Sequence, residues 1–385
     1  MKQLLYIGHE YHLKTKSTQF LFRIFEKEYE ITFLSVDPHL GTDEVDVSSV
    51  SGRHFDLLVC LQVMPSINRI RKSVTFDHAA FFPMADYYYG ARPVYCPIWK
   101  EYGDFHIICF SRKVYDEVRM AGYDAKYLQY FPEPPSEIGD LGNPKGIFFW
   151  QRVTDINPWV TRTLLDKFPY DELHMHYAVD PGMRRIEVPD DVKSRCRVTT
   201  TSWFEKKEDM LKCMLSKAIY IAPRDIEGIG MSFLEAMANG RCVLAEDNTT
   251  MNEYIVHGKT GFLYHRGESL APLPISCAED IVTIQKNVIV YMRKGWKRWK
   301  IVREKIPSMC TAPIAHRSWL AVGRFPLWFR YWRSLKGYGV EWTNVRTVKW
   351  MGITVFTYKS DITRLSYRLS IFKIPVFEHI ETPGL

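Results

Sequence analysis

The order of strand-like and helix-like segments constrains the fold of this chain more than any other feature. Short apolar runs that predict strands alternate with runs that carry apolar residues at helical spacing. Such alternation predicts a parallel sheet covered by helices on both faces. It occurs twice, before and after a Pro- and Gly-rich linker at 131–146. The predicted strands are 3–8, 30–36, 55–62 and 105–111, then 146–150, 172–178, 219–223 and 242–246; the predicted helices are 17–29 and 111–123, then 157–168, 206–218 and 231–240.

The pattern changes after about residue 278, where the chain becomes basic and aromatic. The last hundred residues, 286–385, hold 19 Lys and Arg against 5 Asp and Glu, and seven of the eleven Trp. This surplus predicts an anionic partner for the end of the chain. Residues 278–306 are predicted to form one long basic helix, and a weak repeat at 348–358 and 369–379 indicates strands. The predicted domains are therefore 1–140, 141–310 and a carboxyl-terminal extension at 311–385.

Several classes of protein are excluded by the composition. No apolar run approaches the ~18 residues of a membrane-spanning helix, and the apolar start is too short for a signal peptide, so a cytoplasmic protein is expected. The eight cysteines are scattered and form no C-x-x-C pair, so no zinc site is expected. Nucleic acid is a poor candidate partner because no known binding module is visible.

A glycine-containing turn joins the predicted strand 219–223 to the predicted helix 231–240. Such a unit directs backbone N–H groups and the positive end of a helix toward one point, which favours a diphosphate. Gly228 and Gly230 let the backbone approach that ligand closely. Glu227, at the mouth of the turn, would repel phosphate but suits a group with hydroxyls. Glu235, about a turn further on, could accept hydrogen bonds from a second hydroxylated group. A nucleotide sugar, with its phosphates between two hydroxylated groups, satisfies both requirements.

The segment PRDIEGIGMSFLEAMANGRCVLAEDNTTMNEYIVHGKTGFLY closely resembles the donor site of family 4-type glycosyltransferases. This resemblance implies the GT-B fold, an α/β architecture of two Rossmann-like, doubly wound domains facing a central cleft. It implies that Glu227 contacts the transferred sugar and that Glu235 holds the ribose hydroxyls. It also implies that backbone N–H groups around Ile229, Gly230 and Met231, in the turn that begins at Gly228, hold the diphosphate.

The same family uses an Arg and then a Lys, about five residues on, to neutralise the leaving diphosphate. Arg152 follows the predicted strand 146–150 in the matching place, where it could otherwise be an ordinary surface or ion-pairing arginine. The Lys is missing, and Asp155 or Asn157 falls there instead. Arg224 or a lysine of the first domain could replace it.

Other residues are assigned to the site by resemblance alone. The loop 199–209 matches the place where the family binds its base, so Trp203 or Phe204 is expected to face the base, unless Trp203 belongs to the core. In the first domain, Asp77 and His78 are predicted to lie in a loop at the cleft, although the two could simply be a hydrogen-bonded pair. The first loop after the opening strand is predicted to face the same cleft, and it contributes Gly8, His9, His12 and Lys14 to the predicted site.

The prediction for function is a metal-independent glycosyltransferase that uses a UDP- or GDP-sugar and no other cofactor. The acceptor is expected to be a glycan, lipid-linked at the cytoplasmic face of a membrane, in cell-surface polysaccharide synthesis. Retention at the transferred carbon is implied only by the resemblance, and the membrane contact by the basic aromatic end of the chain. Two alternatives remain open: a GT-B nucleotide-sugar epimerase, and a catalytically silent GT-B partner protein.

Overall fold

The computed structural model describes ten long or short stretches of the chain and two single residues between them. These are residues 1–36, 44–88, 101–120, 123–158, 160, 168, 170–264, 278–314, 344–350, 353–361, 366–371 and 374–379. By the clustering of contacts the chain divides into two units, Met1–Leu128 with Glu304–Leu385, and Gln129–Arg303. The predicted extension 311–385 is thus grouped with the first unit.

The first unit is built on a six-stranded parallel sheet in the order β2-β1-β3-β4-β5-β6. Its strands are β1 Lys2–His9, β2 Tyr29–Val36, β3 His54–Leu61, β4 Thr75–Phe82, β5 His106–Cys109 and β6 Ala125–Tyr127. The described helices are α1 Glu10–Thr15, α2 Gln19–Phe25, α3 Ile67–Ser73, α4 Ala85–Tyr88 and α5 Arg112–Met120, with a 3-10 turn at Ser48–Val50. The central strands form the core because their apolar residues face helices on both sides, and 57–61 is fully buried.

The second unit repeats this architecture with the order β12-β11-β10-β7-β8-β9, again parallel throughout. Its strands are β7 Asn143–Gln151, β8 Glu172–Tyr177, β9 Arg197–Thr201, β10 Lys217–Ile221, β11 Cys242–Glu246 and β12 Gly261–Tyr264. Its described helices are α6 Asp190–Lys193, α7 Lys207–Leu215, α8 Met231–Ala238, α9 Met251–Tyr254 and α10 Ala278–Arg303. The helix predicted at 157–168 lies mostly outside the described residues.

In each sheet the strand order reverses beside the first strand of the unit. The reversal falls between β1 and β3 in the first sheet and between β7 and β10 in the second. Ligands of open α/β sheets bind beyond the carboxyl ends of the strands at such a reversal. Two positions are therefore marked by topology alone, and the predicted donor turn follows one of the strands involved, β10.

The end of the chain forms a separate antiparallel sheet in the order β13-β14-β15-β16. Its strands are β13 Asn344–Trp350, β14 Ile353–Asp361, β15 Ser366–Ile371 and β16 Ile374–His379, and a short helix, α11 Ile306–Met309, precedes it in the chain. The described residues of the weak repeat at 348–358 and 369–379 therefore fall on β13 and β14 and on β15 and β16. None of the described helices combines the length and apolarity needed to cross a membrane.

Candidate functional site

The turn between β10 and α8 has the conformation that its glycines predict. Gly230, the residue before the first turn of α8, has φ +79° and ψ 48°, a left-handed conformation that favours glycine. A Cβ atom added there would lie 1.9 Å from the ring of Phe233, which is fully buried. No side chain caps the helix at Gly230. Gly230 thus offers no side-chain acceptor to the first backbone N–H groups of α8, an arrangement that suits an anionic ligand.

Glu227 is held inside this turn and is only 7% exposed. Its backbone N–H donates to the carbonyl of Thr249 at 3.2 Å, and the Thr250 hydroxyl donates to its carbonyl at 3.3 Å. The loop after β11 therefore fixes the turn from the neighbouring strand. Glu235 lies on α8, half-buried, one turn further into the helix than the first residues.

The buried hydroxyl of Tyr220 is close enough to Glu227, Glu235 and Arg152 for all three charges to affect its pKa. Burial raises the pKa of Tyr220, at the end of β10, well above its ordinary value. The charges of Glu227 and Glu235 also raise the pKa of this group, and that of Arg152 lowers it. All three predicted site residues thus act electrostatically on one hydroxyl.

Arg152 and Arg224 share one carboxylate, that of Asp180. Arg152 donates from Nε at 3.0 Å and Nη2 at 2.8 Å to Oδ1 of Asp180. Arg224 donates from Nε at 3.1 Å, and from Nη2, to Oδ2 of the same residue. The structure therefore brings Arg224 beside Arg152, as the sequence left open. Asn157 instead donates its amide to the carbonyl of Thr154.

The two aromatic residues predicted for the base differ in their surroundings. Trp203 is 66% exposed and so does not belong to the core. Phe204 packs against His176, with ring centroids 5.0 Å apart, and His176 in turn lies 5.4 Å from Trp150. Burial lowers the pKa of His176 to about 4, helped by nearby His174, so this ring is neutral at physiological pH. An aromatic surface at the ends of β7 to β9 results, next to the Arg152 position.

The loop predicted around Asp77 and His78 is wrong. Both residues lie in strand β4, near its first residue Thr75, and therefore at the amino-terminal edge of the sheet. Asp77 is exposed and lies 3.4 Å from the His54 ring, and both predicted residues line a cavity of about 590 Å³ at that edge. Ligands of such sheets bind at the opposite edge. The chain remains extended here because β4 is a central strand whose second half is fully apolar.

Gly8 is the last residue but one of strand β1 and pairs with Ser35, and its predicted role in the site stays a prediction. A Cβ atom there would make only ordinary contacts of 3.4 Å or more, so the position does not require glycine. His9 accepts a hydrogen bond from the Tyr11 N–H and so caps α1. The side chain of Lys14 lies outside the described residues.

His12 occupies the position that topology marks in the first sheet. Its Nδ1 lies 2.8 Å from the Ser17 hydroxyl and its Nε2 lies 2.6 Å from Oε1 of Gln62. Burial lowers its pKa, although the Gln62 bond opposes this. Gln62 directly follows β3 and has φ +66°, a conformation that non-glycine residues rarely adopt and that concentrates at functional sites. The carboxyl ends of β1 and β3 thus hold a neutral histidine in place.

Residues 197–273, which include the donor turn, match the family model described as glycosyl transferases group 1. The match covers 77 of the 385 residues. No curated protein matches the chain closely enough to count as a relative.

Solved structures resemble the chain over most of its length. They include HepE of Anabaena in complex with UDP and glucose, 14% identical, covering 80% of this chain and 100% of its own, with a TM-score of 0.54. Sucrose-phosphate synthase of Thermosynechococcus elongatus is 11% identical over 80% of this chain and 100% of its own, also at 0.54. A glycosyltransferase of Rickettsia africae is 11% identical over 78% and 98%, at 0.53. At identities this low the structural similarity shows the fold alone. The prediction of a GT-B fold is confirmed.

The structure adds two residues that the sequence did not single out. Asp180 was missed, although an acidic residue just after a buried strand is a signal for a site at the sheet edge. Gln62 was missed because nothing in its neighbourhood predicts a left-handed backbone. Among the described residues no group of His, Cys, Asp and Glu is arranged to hold a metal ion.

Proposed function

We propose that this protein transfers a sugar from a nucleotide sugar to a hydroxyl group of a glycan acceptor. The observation that carries the proposal is the turn before α8, where Glu227 and Glu235 flank a glycine-capped helix end and share the electrostatic environment of Arg152. Carboxylates suit the hydroxyls of a sugar and a ribose, while the helix end and the guanidinium suit the diphosphate between them. UDP or a UDP-sugar is the favoured donor, because the similar HepE structures hold UDP with glucose and UDP-glucose.

The proposed reaction needs charge stabilisation more than a covalent protein intermediate. The bond from the anomeric carbon to the β-phosphate oxygen breaks, and a bond from that carbon to the acceptor oxygen forms. The acceptor oxygen attacks from the face that the phosphate leaves and gives its proton to the departing phosphate oxygen, so the configuration of that carbon is retained. Arg152 and the amino end of α8 stabilise the diphosphate as it departs, the electrostatic contribution that usually dominates such catalysis. Glu227 holds the sugar hydroxyls and so fixes the carbon that reacts.

The direct test is a thermal-shift screen without added metal, using UDP, GDP, CDP and ADP and their common sugar conjugates. A ligand that binds only the folded protein adds about 2.7 kcal/mol of stability at 100 times its Kd. We expect one nucleoside diphosphate to raise the melting temperature by several degrees, and Glu235→Ala to remove that rise. Glu208→Ala, which removes an exposed glutamate of α7, is the matched control and should keep it. If no nucleotide produces a rise, a donor site is ruled out and the silent alternative gains.

We further propose that the acceptor is lipid-linked and that transfer occurs at an anionic membrane surface, as part of surface polysaccharide synthesis. The described residues that support this lie on α10. No Asp or Glu occurs between Asp280 and Glu304. The exposed face of α10 carries two apolar side chains, Val290 and Ile301. Beside them lie six exposed basic residues: Lys286, Arg293, Lys294, Lys297, Arg298 and Lys300. Basic surfaces with interspersed apolar residues bind anionic lipid headgroups.

Neutralising this face should weaken membrane binding strongly. Each basic residue near an anionic surface contributes about 1 kcal/mol, so the triple variant Lys294→Gln, Lys297→Gln, Arg298→Gln should lower partitioning by about a hundredfold. Sedimentation with vesicles containing phosphatidylserine measures this. A control with the same change in charge uses Lys145→Gln, Lys212→Gln and Lys259→Gln, exposed residues elsewhere in the second unit. Equal loss in both variants would show that only net charge matters, and no loss in either would remove the membrane from the proposal.

A further inference from the structure

The cavity at the amino-terminal edge of the first sheet is not explained by the proposed donor site. It has a volume of about 590 Å³ and belongs to the first unit, whereas the donor turn belongs to the second. Ligands of open α/β sheets bind at the opposite, carboxyl-terminal edge. Sites for small molecules have volumes of about 300–1,000 Å³. The cavity is therefore large enough for a ligand of its own.

Two half-buried histidines line this cavity from neighbouring strands. His106 pairs with Ala80 of β4, and His78 lies two residues before Ala80, so the two histidines are on the same face of the sheet. Neither ring has a hydrogen-bond partner among the described residues. Burial, together with the charges of Lys126 and His78, lowers the pKa of His106 to about 4. This ring is therefore neutral at physiological pH and offers one N–H donor and one acceptor.

The charged side chains of the cavity already have partners. Arg71 donates from Nη2 to Oδ2 of Asp104, and the Asp77 carboxylate lies 3.4 Å from the His54 ring. One cation and two carboxylates in the wall disfavour phosphates and other anions. A purely apolar ligand is disfavoured as well, because it would cover the two histidines without giving them a hydrogen bond. The lining thus favours an uncharged ligand that is rich in hydrogen-bonding groups.

The apolar part of the wall narrows the class of ligand further. Phe76 is half-buried in the wall, with the guanidinium of Arg71 5.5 Å from its ring centroid, and Pro313 and Ile314 line the cavity from the segment after α11. A sugar ring presents C–H groups on its faces, which pack against the electron-rich face of an aromatic ring. Its hydroxyls both donate and accept, as a neutral imidazole does. A saccharide therefore matches both parts of the wall.

We propose that this cavity binds a neutral saccharide unit of a glycan, at a site separate from the donor turn. His78 and His106 exchange hydrogen bonds with sugar hydroxyls, and Phe76 contacts a face of the sugar ring. The inference goes beyond the proposed function, because it requires neither a nucleotide nor a transfer reaction. The first unit thereby holds a glycan independently of the donor.

The test measures binding of the full chain, without nucleotide, to an array of neutral glycans built from hexoses and N-acetylhexosamines. The wild type should bind at least one glycan saturably, and that glycan is then titrated in solution. The double variant His78→Phe, His106→Phe keeps two rings but removes their donors and acceptors, so the affinity should fall by tenfold or more. The double variant His78→Gln, His106→Gln should lose less, because glutamine keeps a donor and an acceptor. No binding to any glycan, or unchanged affinity in the Phe variant, would overturn the proposal.

A further variant fills the cavity and leaves the histidines in place. Ala312→Trp adds a large ring to the wall and should lower the affinity by tenfold or more. Ser51→Trp, at an exposed position elsewhere in the same unit, is the matched control and should bind the glycan as the wild type does. Melting temperatures report folding, so affinities are compared between variants that melt as the wild type does. Equal affinity in both Trp variants would mean that the glycan lies elsewhere, and the assignment would be overturned.

Failure of this inference is distinct from failure of the proposed function. Glu235→Ala should keep glycan binding, since the measurement contains no nucleotide. A thermal shift with a nucleoside diphosphate, but no glycan binding that depends on the cavity, would reject this site and keep the donor site. Glycan binding that requires His78 and His106, with no response to any nucleotide, would keep this site and reject the donor assignment.

Discussion

Replacing Glu227 by Gln is expected to lower kcat/KM for sugar transfer by about a thousandfold, close to complete loss in most assays. The side chain keeps its size, so the turn should still form around the backbone bonds from Thr249 and Thr250. What is lost is a carboxylate that accepts hydrogen bonds from sugar hydroxyls beside the reacting carbon. Because this contact positions the sugar, the effect should fall mainly on kcat and less on binding of the nucleotide.

This prediction separates the two glutamates of the turn. Glu227→Gln should retain the thermal shift caused by the nucleoside diphosphate, whereas Glu235→Ala should lose it. Release of nucleoside diphosphate from the sugar donor, measured with acceptor present, reports the activity. Glu208→Gln is the control for a general effect of removing a carboxylate. Activity of Glu227→Gln within tenfold of the wild type would contradict the proposed role of this residue.

The donor turn could be predicted from the sequence because its determinants are local. Glycines at 228 and 230, a buried strand before them and an apolar helix after them each follow from residues within about twenty positions. The structure confirms the strand and the helix that begins at Met231, and it adds the left-handed backbone at Gly230. Steric exclusion by Phe233 adds a reason for glycine that the sequence alone did not show.

The contact of Asp180 with Arg152 and Arg224 could not be predicted in the same way, because these residues meet only when the sheet forms. Asp180 lies 28 residues from Arg152 and 44 residues from Arg224 in the chain. No local pattern joins them, and only the strand order β10-β7-β8 makes them neighbours. The sequence could list Arg224 as one replacement for the missing lysine among several, but it could not decide between them.

The error at Asp77 and His78 has the opposite origin. The family resemblance alone puts this pair in a loop, and no residue pattern supports that loop. In a parallel sheet the first residues of a central strand lie near the sheet edge, so β4 accepts polar residues at its start and buries only its second half. The sequence could not predict the contact of His12, because its partner, Gln62, is fifty residues away and has an unusual backbone conformation.

The second large effect concerns Arg241, which lies just before β11 and is only 1% exposed. Its guanidinium donates to four backbone carbonyls: those of Asn239 at 3.1 Å, Leu215 at 2.9 Å, Lys217 at 3.2 Å and Asp140 at 2.8 Å. Burial lowers its pKa to about 10, so the group remains charged at neutral pH. One side chain thus joins the end of α7, the start of β10, the residue after α8 and the linker.

Replacing Arg241 by Met should lower the free energy of unfolding by about 4 kcal/mol, because a buried side chain of similar length leaves four carbonyls, that of Lys217 fully buried, without their donor. Denaturant unfolding with a fixed m-value measures the loss. Arg197→Met is the control: this arginine also pairs with a partner, Glu172, but it is 70% exposed, so a change below about 1 kcal/mol is expected. A loss at Arg241 as small as at Arg197 would contradict the prediction. Since the residue after α8 is among the groups it holds, the surviving folded fraction of Arg241→Met should also bind the nucleoside diphosphate more weakly, whereas Arg197→Met should bind it as the wild type does.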